Sequence, residues 1–148
     1  MDYISQTNPH ATVHEAGLWV IGWKGTEIIG CSPNDIVEMH GTGIKPTSGR
    51  GITEYKCPFK GGFPCHYKII PPSYYLQTQL NMLATASLWC HLVVWTPKTT
   101  RIYLVQRDDQ FLDNLMNVTF HHYWNLQTKP DNPHPTFLDL KMQAEKKI

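Results

Sequence analysis

Gly51-Ile52-Thr53-Glu54-Tyr55-Lys56-Cys57-Pro58 reads as a short strand closed by a proline. Side chains alternate faces along a strand and rise ~3.3 Å per residue, so Glu54 and Lys56 leave one face about 7 Å apart while Tyr55 leaves the other. A carboxylate ligates a hard divalent cation through oxygen, and a lysine beside it can orient or deprotonate water. The pair therefore suits hydrolysis of a phosphodiester. The same letters also describe a solvent-facing ion pair, and the surrounding sequence has to decide between the two.

The chain has 148 residues, 41% hydrophobic and 11% aromatic, enough for one domain with a real core. Its 13 basic and 12 acidic residues leave a formal charge of +1, so global charge marks neither a polyanion sponge nor an acidic tail. Between Lys45 and Lys68, however, Lys45, Arg50, Lys56, Lys60 and Lys68 face only Glu54. That segment is where a nucleic acid is expected to bind, through Lys45, Arg50, Lys60 and Lys68. Cys31, Cys57, Cys65 and Cys90 are irregularly spaced, and the start of the chain carries no signal-peptide pattern. This predicts reduced cysteines and an intracellular protein, nucleus and cytoplasm not being separable. No apolar run reaches the ~18 residues of a membrane span, so a membrane partner is not expected.

Outward from the E-x-K strand, residues 1–14 are polar and broken by Asn8-Pro9, which predicts an N-terminal arm. Residues 15–125 form the predicted core. Gly17 to Trp23 and Glu27 to Gly30 read as a hairpin. Ser32-Pro33 then kinks the chain before Asn34-Asp35, a pattern that fits either an acid presented at a kink or an ordinary Asx turn. Ser73 to Ser87 reads as a helix capped by Ser73, with Leu76, Leu80 and Leu83 toward the core. Tyr74, Gln77 and Asn81 form a polar ridge beside that stripe, either bordering a site or solvated. His91 to Trp95 and Arg101 to Val105 read as an antiparallel pair, and Asp108 or Asp109 starts a second helix. Residues 126–148 are a predicted linker and peripheral tail. The whole predicts an α/β (α+β) fold, for which the resemblance described next implies a central mixed sheet of about five strands flanked by helices.

Four motifs in this order carry a resemblance. Ile29-Gly30-Cys31-Ser32-Pro33-Asn34-Asp35-Ile36-Val37 is similar to G-A-S-P-D-G-I-V, and Ile52 to Phe59 to L-E-x-K-C-P-[FY]. Tyr74-Tyr75-Leu76-Gln77-Thr78-Gln79 is similar to Y-Y-x-Q-x-Q, and Trp89 to Pro97 to W-C-D-F-V-V-W-T-P. The chain thus resembles the lambda-type exonucleases, the YqaJ-like viral recombinase family of the PD-(D/E)xK nucleases, over roughly residues 15–116. The resemblance implies a restriction-endonuclease-like core and a metal-dependent deoxyribonuclease that digests DNA from an end, in recombination, repair or the processing of viral and mobile-element DNA. It further implies Mg²⁺ or Mn²⁺ held by Glu54, an upstream aspartate and the Tyr55 carbonyl, with Lys56 positioning water and Gln77 supporting Lys56 or the phosphate. Gln79 would stand behind these groups. DNA is the implied partner, with a homo-oligomer or a recombination protein as further company.

Two departures qualify this. The family aspartate falls on Asn34, and Asp35 takes the glycine position. We expect Asp35 to reach the metal through a bulge after Pro33, with Asn34 bonding the neighbouring backbone; Asn34 is the alternative ligand. Family members also begin with helices that supply a further acid, whereas about fifteen residues precede the first predicted strand here. A catalytically impaired relative that binds DNA or a partner without cleavage is the alternative function.

Overall fold

The computed structural model describes residues 10–23, 25–40, 47–58 and 70–128, the side chains of residues 23 and 126–128 excepted. Seven strands and two helices follow in the order β1 (Ala11–Glu15), β2 (Trp19–Trp23), β3 (Thr26–Cys31), β4 (Asp35–Met39), β5 (Gly49–Lys56), α1 (Pro72–Ala84), β6 (Trp89–Thr96), β7 (Thr99–Gln106) and α2 (Asp109–Thr128). Five of them form one mixed sheet in the order β1-β4-β5-β6-β7, while β2 and β3 form a separate hairpin. Among the described strands only β5 and β6 run parallel. A parallel pair needs a long crossover, and α1 lies in it.

The register divides the sheet into two faces. Ile36, Ile52, Cys90, Leu92, Val94 and Val105 join Tyr75 and Met82 of α1 and Phe111, Leu112 and Leu115 of α2 in the main core. This is the inner face. On the outer face Val37 and Trp89 pack with Ala11, Val13 and Met39.

The predicted mixed five-stranded α+β architecture is the one observed, with local differences. The expected arm ends early, because Ala11–Glu15 pairs antiparallel with β4 as an edge strand. Its alternating, half-solvated residues carry no apolar run that would announce a strand. Ser73 does not cap α1; Pro71 occupies the cap position without a side-chain bond, and proline in the first turn suits a helix start. Asp108 does cap α2, accepting the Phe111 N–H at 2.9 Å. Leu76, Leu80 and Leu83 only fringe the core, and the deepest residues of α1 are Tyr75, Thr78, Gln79, Asn81 and Met82.

Candidate active site

β5 delivers Glu54 and Lys56 to the inner face as their alternation requires, and α1 lies across them. Glu54 is 4% exposed. A buried carboxylate is costly unless its oxygens are hydrogen-bonded and its charge is paired. Here Lys56 Nζ donates to Glu54 Oε1 at 2.8 Å, and Gln77 Nε2 donates to the same oxygen at 2.8 Å. Gln77 Oε1 in turn accepts from Lys56 Nζ at 2.7 Å, closing a triangle. Asn81 Nδ2 donates to Glu54 Oε2 at 3.2 Å, and the Lys56 ammonium lies 5.3 Å from the centre of the Tyr74 ring. Both carboxylate oxygens are therefore engaged by protein donors, and the ion pair is internally neutral.

The ridge of α1 is what brings these groups together. Tyr74, Gln77 and Asn81 are spaced i, i+3 and i+7, one helical stripe, and all three reach Glu54 or Lys56. Asn81 was visible in the sequence as part of that ridge. Its partnership with Glu54 was not, because 27 residues separate the two. Gln79 takes another direction. Its Nε2 donates to the Gln106 carbonyl at 2.8 Å and its Oε1 accepts the Asp108 N–H at 2.9 Å, so it pins α1 to the junction of β7 and α2. It stands behind the helix and touches none of the three site groups.

Asn34 and Asp35 part company at the start of β4. The β4–β5 register runs unbroken from Asp35↔Thr53 to Met39↔Gly49, and just before it the Asn34 N–H donates to the Thr53 carbonyl at 3.2 Å, so the irregularity after Pro33 leaves Asp35 opposite Thr53 and does not turn it toward Glu54. Glu15, Asp35, Thr53, His91 and Leu104 make one cross-strand row on the outer face, opposite Glu54. Asp35 Oδ2 accepts from Thr53 Oγ1 at 2.7 Å there. The assignment of Asp35 as a partner of Glu54 is thereby corrected: a residue paired with Thr53 must share the face of Thr53. Asn34 does bond the neighbouring backbone, its Oδ1 accepting the Tyr55 N–H at 2.9 Å.

Of the four basic residues expected to meet DNA, Lys45, Lys60 and Lys68 lie outside the described residues. Arg50 sits on the inner face but at the far end of β5, about 20 Å along the strand from Lys56. Its guanidinium bonds Glu38 at 3.0 Å and the Thr85 carbonyl at 3.2 Å, tying the end of α1 to the sheet. That is a structural engagement, away from the centre. Burial raises the Cys31 thiol pKa, and burial followed by the Glu54 charge raises that of Cys90 further, so both remain thiols. Among the described residues no group of three His, Cys, Asp or Glu side chains is placed to hold a metal. No helix among the described residues is long and apolar enough to cross a membrane.

No protein-family model matches the chain, and no curated protein matches it. Among solved structures it is similar to the alkaline exonuclease LHK-Exo of Laribacter hongkongensis. The identity is 23%, the TM-score is 0.62, and the match covers 99% of this chain and 68% of that one. The structure of LHK-Exo in complex with dAMP matches with the same values. The chain therefore shares the fold of that alkaline exonuclease.

Proposed function

We infer that the chain is a DNA exonuclease of the lambda type, hydrolysing phosphodiester bonds at the Glu54–Lys56–Gln77 centre. The observation that carries this reading is the closed triangle itself. An acid, an amine and an amide from two different elements meet within 2.8 Å at a site whose strand and helix motifs both belong to that resemblance. The likeness to an alkaline exonuclease supports DNA as the substrate.

The oxygen donors near Glu54 suit Mg²⁺ or Mn²⁺ in kind: a carboxylate, the Asn34 amide oxygen and the Tyr55 carbonyl, which leaves its strand on the same side as the Tyr55 N–H that Asn34 accepts. Mg²⁺ is commonly held by one or two carboxylates together with substrate phosphates, so these donors fit once DNA supplies the rest. Such a cation would stabilise charge developing on the phosphate. Within the chain, Lys56 would hold the attacking water by hydrogen bonding, Gln77 would fix the ammonium, and Asn81 would keep Glu54 in its rotamer. DNA processing in recombination or repair is the matching role, inside the cell.

A second reading is favoured by the outer-face position of Asp35. With Glu54 as the one carboxylate of the centre among the described residues, the chain would be an impaired nuclease that binds DNA without cutting it. Incubation with end-labelled linear duplex DNA and Mg²⁺ separates the two. The exonuclease reading expects shortening from an end that Lys56→Ala abolishes. DNA binding without shortening, with cleavage appearing in Asn34→Asp, establishes the second reading instead.

A further inference from the structure

Every side-chain oxygen named at the centre accepts at least one protein donor. Glu54 Oε1 has Lys56 and Gln77, Glu54 Oε2 has Asn81, and Asn34 Oδ1 has the Tyr55 N–H. A cation approaching the protein alone would compete with the Lys56 ammonium at Glu54 Oε1 or with the Asn81 amide at Oε2, and would gain only one carboxylate, whose charge Lys56 already neutralises. Mg²⁺ and Mn²⁺ release their water reluctantly, and Asp35, the acid next to Asn34, contributes nothing from the outer face. A DNA phosphate changes both terms. Its negative charge offers Lys56 another partner, which frees Glu54 Oε1, and its oxygens complete the coordination.

We propose that the divalent cation and DNA load into this centre together, the protein alone retaining no cation, and that Asn34 sets this dependence. The inference rests on the nuclease reading above and deepens it: the centre is gated by substrate. Linkage makes the coupling reciprocal, so DNA must raise Mn²⁺ affinity by the same factor by which Mn²⁺ raises DNA affinity.

The test is Mn²⁺ retention by the full chain, read from the electron paramagnetic resonance signal of the free ion. It is measured without DNA, with a duplex oligonucleotide, and with the oligonucleotide alone as the blank. Fluorescence anisotropy of the labelled duplex gives DNA affinity with and without Mn²⁺. The expected result is no retention without DNA and, with it, a coupling of about 5-fold or more in both measurements. Asn34→Asp should retain Mn²⁺ without DNA, since it adds a carboxylate at nearly the same volume. Lys56→Gln, which removes the competing ammonium, should do the same if the first variant folds poorly. Equal Mn²⁺ retention with and without DNA overturns the coupling and leaves the exonuclease reading standing. Absence of DNA binding under any condition overturns both.

Discussion

The two faces of β5 carry opposite kinds of polar chemistry. On the inner face Glu54 and Lys56 meet two amides of α1 in a network that joins a strand to a helix. On the outer face Thr53 meets Asp35 in a single bond between neighbouring strands, beside the packed Trp89 indole. The inner network assembles groups far apart in sequence and leaves an ion pair at its centre; the outer face uses its polar residues to hold register. Carboxylate for carboxylate, Glu54 and Asp35 look equivalent in the sequence. Only strand register assigns one to the proposed chemistry and the other to the sheet.

The comparison breaks most violently at Gly51 on the outer face. A Cβ at that position would overlap the Trp89 indole, which is 1% exposed and donates to the Ser48 carbonyl. Gly51→Ala is expected to destabilise the chain by about 3 kcal/mol or more, the upper end of overpacking, read as a drop in melting temperature. A melting temperature equal to the parent's would mean that Trp89 is not locked against β5. Next in size comes a pair on α1. Gln79→Ala removes the side-chain bonds to the Asp108 N–H and the Gln106 carbonyl and should cost about 2–3 kcal/mol. Gln77→Ala leaves the Glu54–Lys56 pair in place and should cost about 1 kcal/mol or less in denaturant unfolding while lowering cleavage of DNA. Reversal of that order would merge the structural and the site glutamine.

These two glutamines show how much was legible beforehand. The E-x-K strand, the hairpin, the β6–β7 pair and the helix pattern are local; alternation put Glu54 and Lys56 on one face, while periodicity left Gln77 on a ridge that only the resemblance joined to them. What the sequence hid was long-range or polar. Thr78, Gln79 and Asn81 look like helix surface by letter and are buried because each finds a fixed partner. The strand at Ala11–Glu15 is an edge with little apolar content, so its pairing with β4 left no periodic trace. The choice between Asn34 and Asp35 turns on a single residue of register, which no pattern in one strand can fix.

That choice gives a smaller, sharper prediction. Asp35→Ala leaves the buried Thr53 hydroxyl without its acceptor, a loss of about 1 kcal/mol, partly offset by relief of the like-charged Glu15 directly opposite. Stability should fall slightly and DNA cleavage should not change. Asn34→Ala removes the acceptor of the Tyr55 N–H at the very edge of the centre and should depress cleavage at similar stability. A collapse of activity in Asp35→Ala, with the protein still folded, would return that residue to the site and refute the two-face assignment.

The smallest effect is expected from His91, which continues the outer-face row between Thr53 and Leu104. Its ring lies 4.9 Å from that of Trp89, and its Nδ1 is buried with no hydrogen-bond partner among the described residues. Burial lowers its pKa below the usual 6.5, because the charged form is the one that loses solvation. The folded chain therefore holds His91 neutral where an unfolded chain would begin to protonate it. Stability from this group is fully present above about pH 6.5 and is lost as pH falls through the lowered folded value. His91→Phe keeps a ring against Trp89 and removes the titration, so its melting temperature should fall less than the parent's between about pH 7.5 and about pH 5. The inner-face ion pair is untouched by this change, and DNA binding at neutral pH should stay the same. Parallel pH profiles for parent and variant would mean that His91 is solvated in the folded chain, and that the outer face is less dry than its packing around Trp89 implies.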